Sequence, residues 1–229
     1  VPGVRAIAML AMRAADRLFR LDGYVCPHTE SVIGKLKRAS VKPKDKKQAV
    51  ALSLLAGFDA DPGLLTSGGA RGMSTFMSWA VLKAAHDYAS PAAAAKMMED
   101  YYGAMLEMGA TSFWEDFDVD WTKGAAPVDR LPEPGEKDIH GDFGKHCYIG
   151  FRHSLCHAWS SGVIDYLVTR ILGVRITSAG GKEVTVKPYA AFGDMEGVVP
   201  VGKGTVRVKV EKGRVTATAT AGIKVTVED

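Results

Sequence analysis

Apolar positions recur at helical spacing over the first three quarters of the chain and at alternate positions over the last quarter. Val4 to Phe19 carries Ile7, Leu10, Ala14 and Leu18 on one face, which predicts an amphipathic helix. Lys46 to Ala56 repeats the pattern with Ala49, Leu52, Leu55 and Ala56, and Gly57 and Asp61-Pro62-Gly63 stop it. Ser74 can cap a third helix running to about Tyr88, with Met77, Val81, Ala84 and Tyr88 apolar. Ser90-Pro91 is a sharper start signal, an N-cap serine followed by proline at the first helical position. That helix should reach about Met108, where Gly109 supplies a left-handed cap. A last helix is expected from about Leu155 to Leu172, ending at Gly173. Residues 119–150 are rich in proline, glycine and charge, so they read as a functional loop or an insertion.

After Gly173 the period changes from 3.6 to 2. Val184-Thr-Val186, Val206-Arg-Val208-Lys-Val210, Val215 to Thr220 and Ile223-Lys-Val225-Thr-Val227 all alternate. Glu211-Lys-Gly-Arg214 and Ala221-Gly222 are the turns between them. The tail is therefore expected to be a small antiparallel β unit with one wet face. Its other face, with Val206, Val208, Val210, Ile223 and Val225, needs a cover, and the preceding helical part is the expected one. Helices first and strands last give an α+β chain in two parts, residues 1–173 and 174–229.

Composition narrows the class. With 229 residues, 47% hydrophobic and 24% charged, the chain can bury a real core. A net charge of +3 says little about partners. The basic run Lys35, Lys37, Arg38, Lys42, Lys44, Lys46 and Lys47 has no interleaved aromatics and reads as a solvated loop or helix start, so nucleic acid is not expected as a partner. No apolar run approaches the roughly 18 residues of a membrane span. No signal peptide is visible, because Val4 to Arg20 is amphipathic and carries Arg5, Arg13 and Arg17. The chain starts without Met in helix-like sequence, which suggests a processed product or a piece of something longer. Three cysteines, Cys26, Cys147 and Cys156, do not make a disulfide framework. His146-Cys147, His153 and Cys156-His157 have zinc-ligand chemistry but none of the usual ligand spacings, so no metal and no other cofactor is expected.

The chemistry concentrates in Gly109-Ala-Thr-Ser-Phe-Trp-Glu-Asp-Phe-Asp118. A helix-ending glycine is followed by Glu115, Asp116 and Asp118, flanked by Phe113, Trp114, Phe117 and Trp121. An aromatic floor with acids at its edge suits a sugar: the C–H face packs on a π-face, while hydroxyls and the glycosidic oxygen need carboxylates. The plainer reading is an acidic surface turn anchored by aromatics. Elsewhere, residue types would allow Ser/His/Asp hydrolysis, but no Gly-x-Ser-x-Gly elbow is present. Gly68-Gly-Ala-Arg-Gly72 could cradle an anion, yet it lacks the Lys-Ser/Thr of a phosphate loop and reads as a turn into the next helix. His28 and Glu30, in Cys26-Pro-His-Thr-Glu30, read as pocket loop or plain loop.

Three blocks in order resemble the C-terminal part of bacterial α-L-rhamnosidases, glycoside hydrolase family 78. They are Tyr102 to Glu115 with its Gly-Ala-Thr-Ser-Phe-Trp-Glu ending, Ser154-Leu-Cys-His157-Ala-Trp-Ser-Ser-Gly162, and Leu172-Gly-Val-Arg175 followed by a β tail with Val186-Lys-Pro188. Lys47 to Leu55 and Met73 to Ala85 sit where that family has barrel helices. The resemblance implies a partial (α/α)6 barrel of helical hairpins over 1–173, about half of a full one, and a small antiparallel β-sandwich-like domain over 174–229. It implies that Glu115 is the general base of an inverting glycosidase, that His157 contacts the sugar, and that Trp114 and Trp159 lie near the pocket. Asp116 and Asp118 are expected to be solvated or to orient the site, and Asp118 is counted with the substrate-binding set. The family's general acid belongs to an upstream acidic, Trp-containing block that has no match here. The implied partner is a carbohydrate with a rhamnose-like terminal sugar. The rival reading is a non-catalytic carbohydrate-binding or structural fragment using the same aromatic floor.

Overall fold

The structure, a computed structural model, describes residues 1–39, 42–124, 128, 133–136, 154–220 and 222–228. His146, Cys147 and His153, raised above as metal-ligand types, lie outside the described residues, as does most of the expected loop at 119–150. Among the described residues no helix is long and apolar enough to cross a membrane, and no group of three or more His, Cys, Asp or Glu could hold a metal. Cys26 and Cys156 are free thiols. The chain divides into two compact units, Val1–Val163 and Ile164–Asp229.

The first unit is helical. Helix α1 spans Pro2–Leu21, α2 Pro27–Arg38, α3 Lys47–Leu55, α4 Gly63–Thr66, α5 Ser78–Tyr88 and α6 Pro91–Glu107. Helix α3 is buried along nearly its whole length and packs on α1 and α5, and α5 packs in turn on α6. Val50, Leu52, Val81, Leu82, Met97 and Tyr101 fill the layer, and Ala51, Ala80, Ala84, Ala85 and Ala94 let the helices approach closely. Each fully buried large apolar side chain contributes about 1.5–3 kcal/mol. As expected, Ser90 caps α6 by accepting from the Ala93 N–H at 3.2 Å, and Gly109 closes it at φ +89°.

Several expectations are corrected. Residues 27–38 are helix α2 and not a loop: Pro27 sits at its first position, where a missing N–H is harmless, so His28 and Glu30 are helical. Glu30 pairs with Arg20 of α1 at 2.9 Å, a structural role. Lys35, Lys37 and Arg38 fall in the last turn of α2, where cations favour the helix dipole. Lys47 is not solvated; it is 7% exposed, donates its ammonium to the Gly69 carbonyl, and burial lowers its pKa. Gln48 Nε2 donates to the Gly72 carbonyl at 2.7 Å. The glycine loop thus offers carbonyls to α3, the wrong polarity there for an anion. Helix α5 starts at Ser78, later than expected, and Ser74 Oγ accepts from the Met77 N–H at 3.4 Å in the turn before it.

The expected last helix, 155–172, is instead a 3₁₀ turn at Ala158–Gly162, a short α7 at Val163–Tyr166 and a π turn at Leu167–Ile171. Ser160, Ser161 and Gly162 are weak helix formers. Gly162 also presses on the next layer, since a Cβ there would lie 2.9 Å from Trp79 Cβ.

The second unit holds two three-stranded sheets. Strands β1 (Val174–Ile176), β2 (Glu183–Val186) and β6 (Lys224–Val227) form one in the order β1-β2-β6. Strands β3 (Met195–Val201), β4 (Gly204–Glu211) and β5 (Arg214–Ala219) form the other as an antiparallel meander. The β4–β5 hairpin turns through Lys212 and Gly213, both at positive φ (50° and 77°), the geometry of a type I′ turn. The antiparallel expectation fails at one place: β6 crosses over and pairs parallel to β2, Val184 opposite Val225. Val174, Val184 and Val186 of one sheet share a core with Val199, Val201, Val206 and Val208 of the other, and Val168, Leu172, Ile223 and Val225 pack against it. For Val206, Val208, Ile223 and Val225 the cover is therefore this core between the two sheets, together with the π turn and the residue after it.

Candidate functional site

The site lies where residues 112–115, just after α6, meet residues 154–159. The two segments bond like a short ladder. Glu115 N–H donates to the Ser154 carbonyl at 2.8 Å, and His157 N–H donates to the Phe113 carbonyl at 2.7 Å. Ser112 Oγ donates to the Leu155 carbonyl. Residues some forty positions apart are thereby fixed to one another at the backbone.

Glu115 is held at every polar atom but one. Its carbonyl accepts from the Trp159 Nε1–H at 3.1 Å and from the hydroxyl of Thr75, a residue only 1% exposed on the turn before α5. Its carboxylate Oε2 accepts from the Ser154 N–H at 3.0 Å. The other carboxylate oxygen, Oε1, has no hydrogen-bond partner among the described residues. The side chain is half-buried, so this oxygen is available to a water or a hydroxyl. Ser154 gives its N–H to Glu115, and its hydroxyl donates to the Cys156 carbonyl at 3.1 Å.

The aromatic residues divide into two layers. Trp114 is 1% exposed and packs edge-on to Phe117 with ring centroids 5.8 Å apart. Phe117 is itself buried and meets Tyr101 edge-on at 5.2 Å, and Tyr101 donates its hydroxyl to the Phe117 carbonyl at 2.5 Å. The ring of Trp114 therefore supports the segment from below. Trp159 is 47% exposed and contacts His157 at 4.4 Å between ring centroids and Phe76 at 5.0 Å. His157, half-buried, precedes the 3₁₀ turn that carries Trp159.

Asp116 and Asp118 are half-buried, and each has an oxygen committed to the backbone: Asp116 Oδ1 accepts from the Phe117 N–H and Asp118 Oδ1 from the Asp120 N–H, both at 2.9 Å. Asp118 thus forms the Asx turn that starts the 3₁₀ turn Val119–Gly124. Behind the segment, burial raises the pKa of Tyr102 to about 12, and its hydroxyl meets Ser78 Oγ at 2.6 Å. Burial pushes Tyr101 up as well.

The structure brings Glu115, His157 and Trp159 together, with Trp114 and Asp118 framing the segment. It adds Thr75 and Phe76, which sequence reading missed. Neither carries a local signal, because Thr75 meets Glu115 from 40 positions away and Phe76 meets Trp159 from farther still.

No protein-family model matches the chain, and no curated protein matches it by sequence. Its fold matches solved structures. A rhamnosidase of glycoside hydrolase family 78 from Bacillus sp. GL1 matches with a TM-score of 0.74 at 20% identity, over 100% of this chain and 26% of that one. An α-L-rhamnosidase of Streptomyces avermitilis, solved with L-rhamnose, matches with a TM-score of 0.60 at 14% identity, over 95% of this chain and 21% of that one. The chain has a family-78-like fold and spans about a quarter or less of the length of these relatives.

Proposed function

We propose that this chain is part of a glycoside hydrolase that inverts configuration at the anomeric carbon of an α-L-rhamnoside or a closely related terminal sugar, with Glu115 as general base. The observation that carries the reading is the immobilisation of Glu115. Two side-chain donors hold its carbonyl, a main-chain N–H holds Oε2, and Oε1 is left to orient a water. The water loses its proton to Glu115 as its oxygen attacks the anomeric carbon from the face opposite the leaving group. A second carboxyl, roughly 6.5–9.5 Å from the first, must protonate the departing oxygen. His157 and Trp159 are the proposed sugar contacts. Trp114 acts from beneath by keeping the segment rigid, and Asp118 by holding the turn that follows it.

Asp116 and Asp118 are unsuited to supply the acid. Asp116 is held by the Phe117 N–H and Asp118 by the Asp120 N–H, both within three positions of Glu115, so neither is suited to reach the opposite face of a pyranose. The acid comes from another part of a longer protein, and this chain alone should have little or no turnover. That same deficit is what favours the rival reading, a non-catalytic carbohydrate-binding fragment. An assay with an aryl α-L-rhamnoside separates the two. The glycosidase reading predicts turnover by the longer protein and none by residues 1–229, and an inactive longer protein that still binds the sugar supports the rival.

A further inference from the structure

Lys47 breaks three local rules at once. It stands at the first position of α3, the end of the helix dipole that disfavours a cation, and no acidic residue in that turn offsets it. Its side chain is 7% exposed. Among the described residues its ammonium has a single acceptor, the Gly69 carbonyl, and no acidic partner. A buried cation without a counter-charge is costly, and a well-packed apolar side chain of the same length would be as stable or more so. Stability does not account for a lysine here, so its effect lies in what it holds in place.

What it holds is the glycine loop. The next residue, Gln48, donates to the Gly72 carbonyl at 2.7 Å, so two consecutive side chains of α3 pin both ends of residues 69–72. From Gly72 the chain runs through Met73, which is buried, to Thr75, whose hydroxyl donates to the Glu115 carbonyl. Arg71 Nε meets Asp120 Oδ1 at 3.0 Å. Residues 71–75 therefore lie along residues 115–120, and the loop is fixed to α3 on one side and to the Glu115 segment on the other.

We infer that Lys47 and Gln48 are positioning residues: through the glycine loop they set the place of Thr75, and through Thr75 the place of Glu115. This rests on the reading of Glu115 as general base proposed above. The link is short. Two residues separate Gly72 from Thr75, and the burial of Met73 between them leaves little room to absorb a shift of the loop. The alternative is that both side chains only stabilise the loop.

The test is hydrogen exchange in residues 1–229, read at the two N–H groups bonded to Glu115, the Ser154 amide and the Trp159 indole, with the melting temperature measured alongside. Lys47→Met keeps the length and removes the ammonium. It should leave the melting temperature unchanged or raise it, yet speed exchange at both groups roughly three- to tenfold, the worth of one hydrogen bond. Gln48→Leu should speed the same two groups. In Thr75→Val, which cuts the link, adding Lys47→Met should give no further increase. Unchanged exchange in Lys47→Met would overturn the inference, and so would a full additional increase in the double variant. A lowered melting temperature with faster exchange throughout the first unit would also overturn it, making Lys47 a stabilising residue only. In the longer protein, Lys47→Met should lower kcat with KM nearly unchanged. Faster exchange at both groups with a wild-type kcat would uphold the positioning and count against the base reading.

Discussion

The indole N–H of Trp159 donates to the main-chain carbonyl of Glu115 at 3.1 Å, so the ring proposed to contact a sugar also positions the proposed base. Seat and base are then one rigid piece, which is what pre-organisation at a reacting centre requires. In the longer protein, Trp159→Phe keeps a ring but removes the donor. It should lower kcat about three- to tenfold, the worth of one hydrogen bond, with a smaller change in KM. Thr75→Val should act in the same way, and Thr75→Ser should restore the rate. Steady-state kinetics on the three variants check this. A rise in KM alone would mean that the two donors serve only binding.

The two tryptophans of the site should respond in opposite ways to truncation. Trp114 is 1% exposed, and its loss to alanine should destabilise the first unit by about 3–5 kcal/mol. Trp159 is 47% exposed, and Trp159→Ala should lose little more than its hydrogen bond, about 1 kcal/mol. Trp159→Ala and His157→Ala should instead weaken sugar binding. Thermal melts and rhamnoside titrations on the same samples give both readings.

Alkaline stability should depend on the buried tyrosine pair. Burial raises the pKa of Tyr102 from 10.0 to about 12 and raises that of Tyr101 as well. The folded state therefore holds these protons more tightly than the unfolded chain does. The stabilisation is complete below pH 10 and is lost as pH rises through the window from about 10 to 12. Tyr102→Phe should flatten the fall in denaturation midpoint across that window, measured by urea unfolding at a series of pH values.

The β unit should fold without the helices of the first unit, because the two sheets share a single core. Residues 164–229 expressed alone should melt cooperatively. Residues 174–229 lack Val168 and Leu172, which pack on that core, and should be clearly less stable or unfolded. Equal stability of the two pieces would show that the π turn contributes nothing to the core.

Local signals were readable wherever they were self-contained. Ser90-Pro91 and Gly109 bracket α6 because capping and left-handed turns are decided by one or two residues. The valine alternation of β4 survives as alternate burial for the same reason. Helix α2 was hidden, since no side-chain cap announces it and its basic end imitates a solvated loop. Strand β3 was hidden by Gly197 and Pro200, which interrupt its pattern, although Gly197 sits where a Cβ would meet Leu172 at 2.4 Å. The parallel crossover of β6 depends on pairing with β2, about forty residues earlier, and no local period encodes it. The site follows the same rule. Its acid and aromatics stand out at 113–118, whereas Thr75 and Phe76 join it through long-range contacts alone.

The proposed role of Glu115, taking the proton from the attacking water, is tested by kcat and sugar affinity of Glu115→Gln in the longer protein, with its stability measured alongside. The amide preserves the shape and can still accept from the Ser154 N–H, but it cannot take up a proton. That role predicts a fall in kcat of about 10²–10⁴ with nearly unchanged affinity and melting temperature. A variant that folds, binds and turns over at close to the wild-type rate would contradict it, and Glu115 would then be no more than an acid held in a turn.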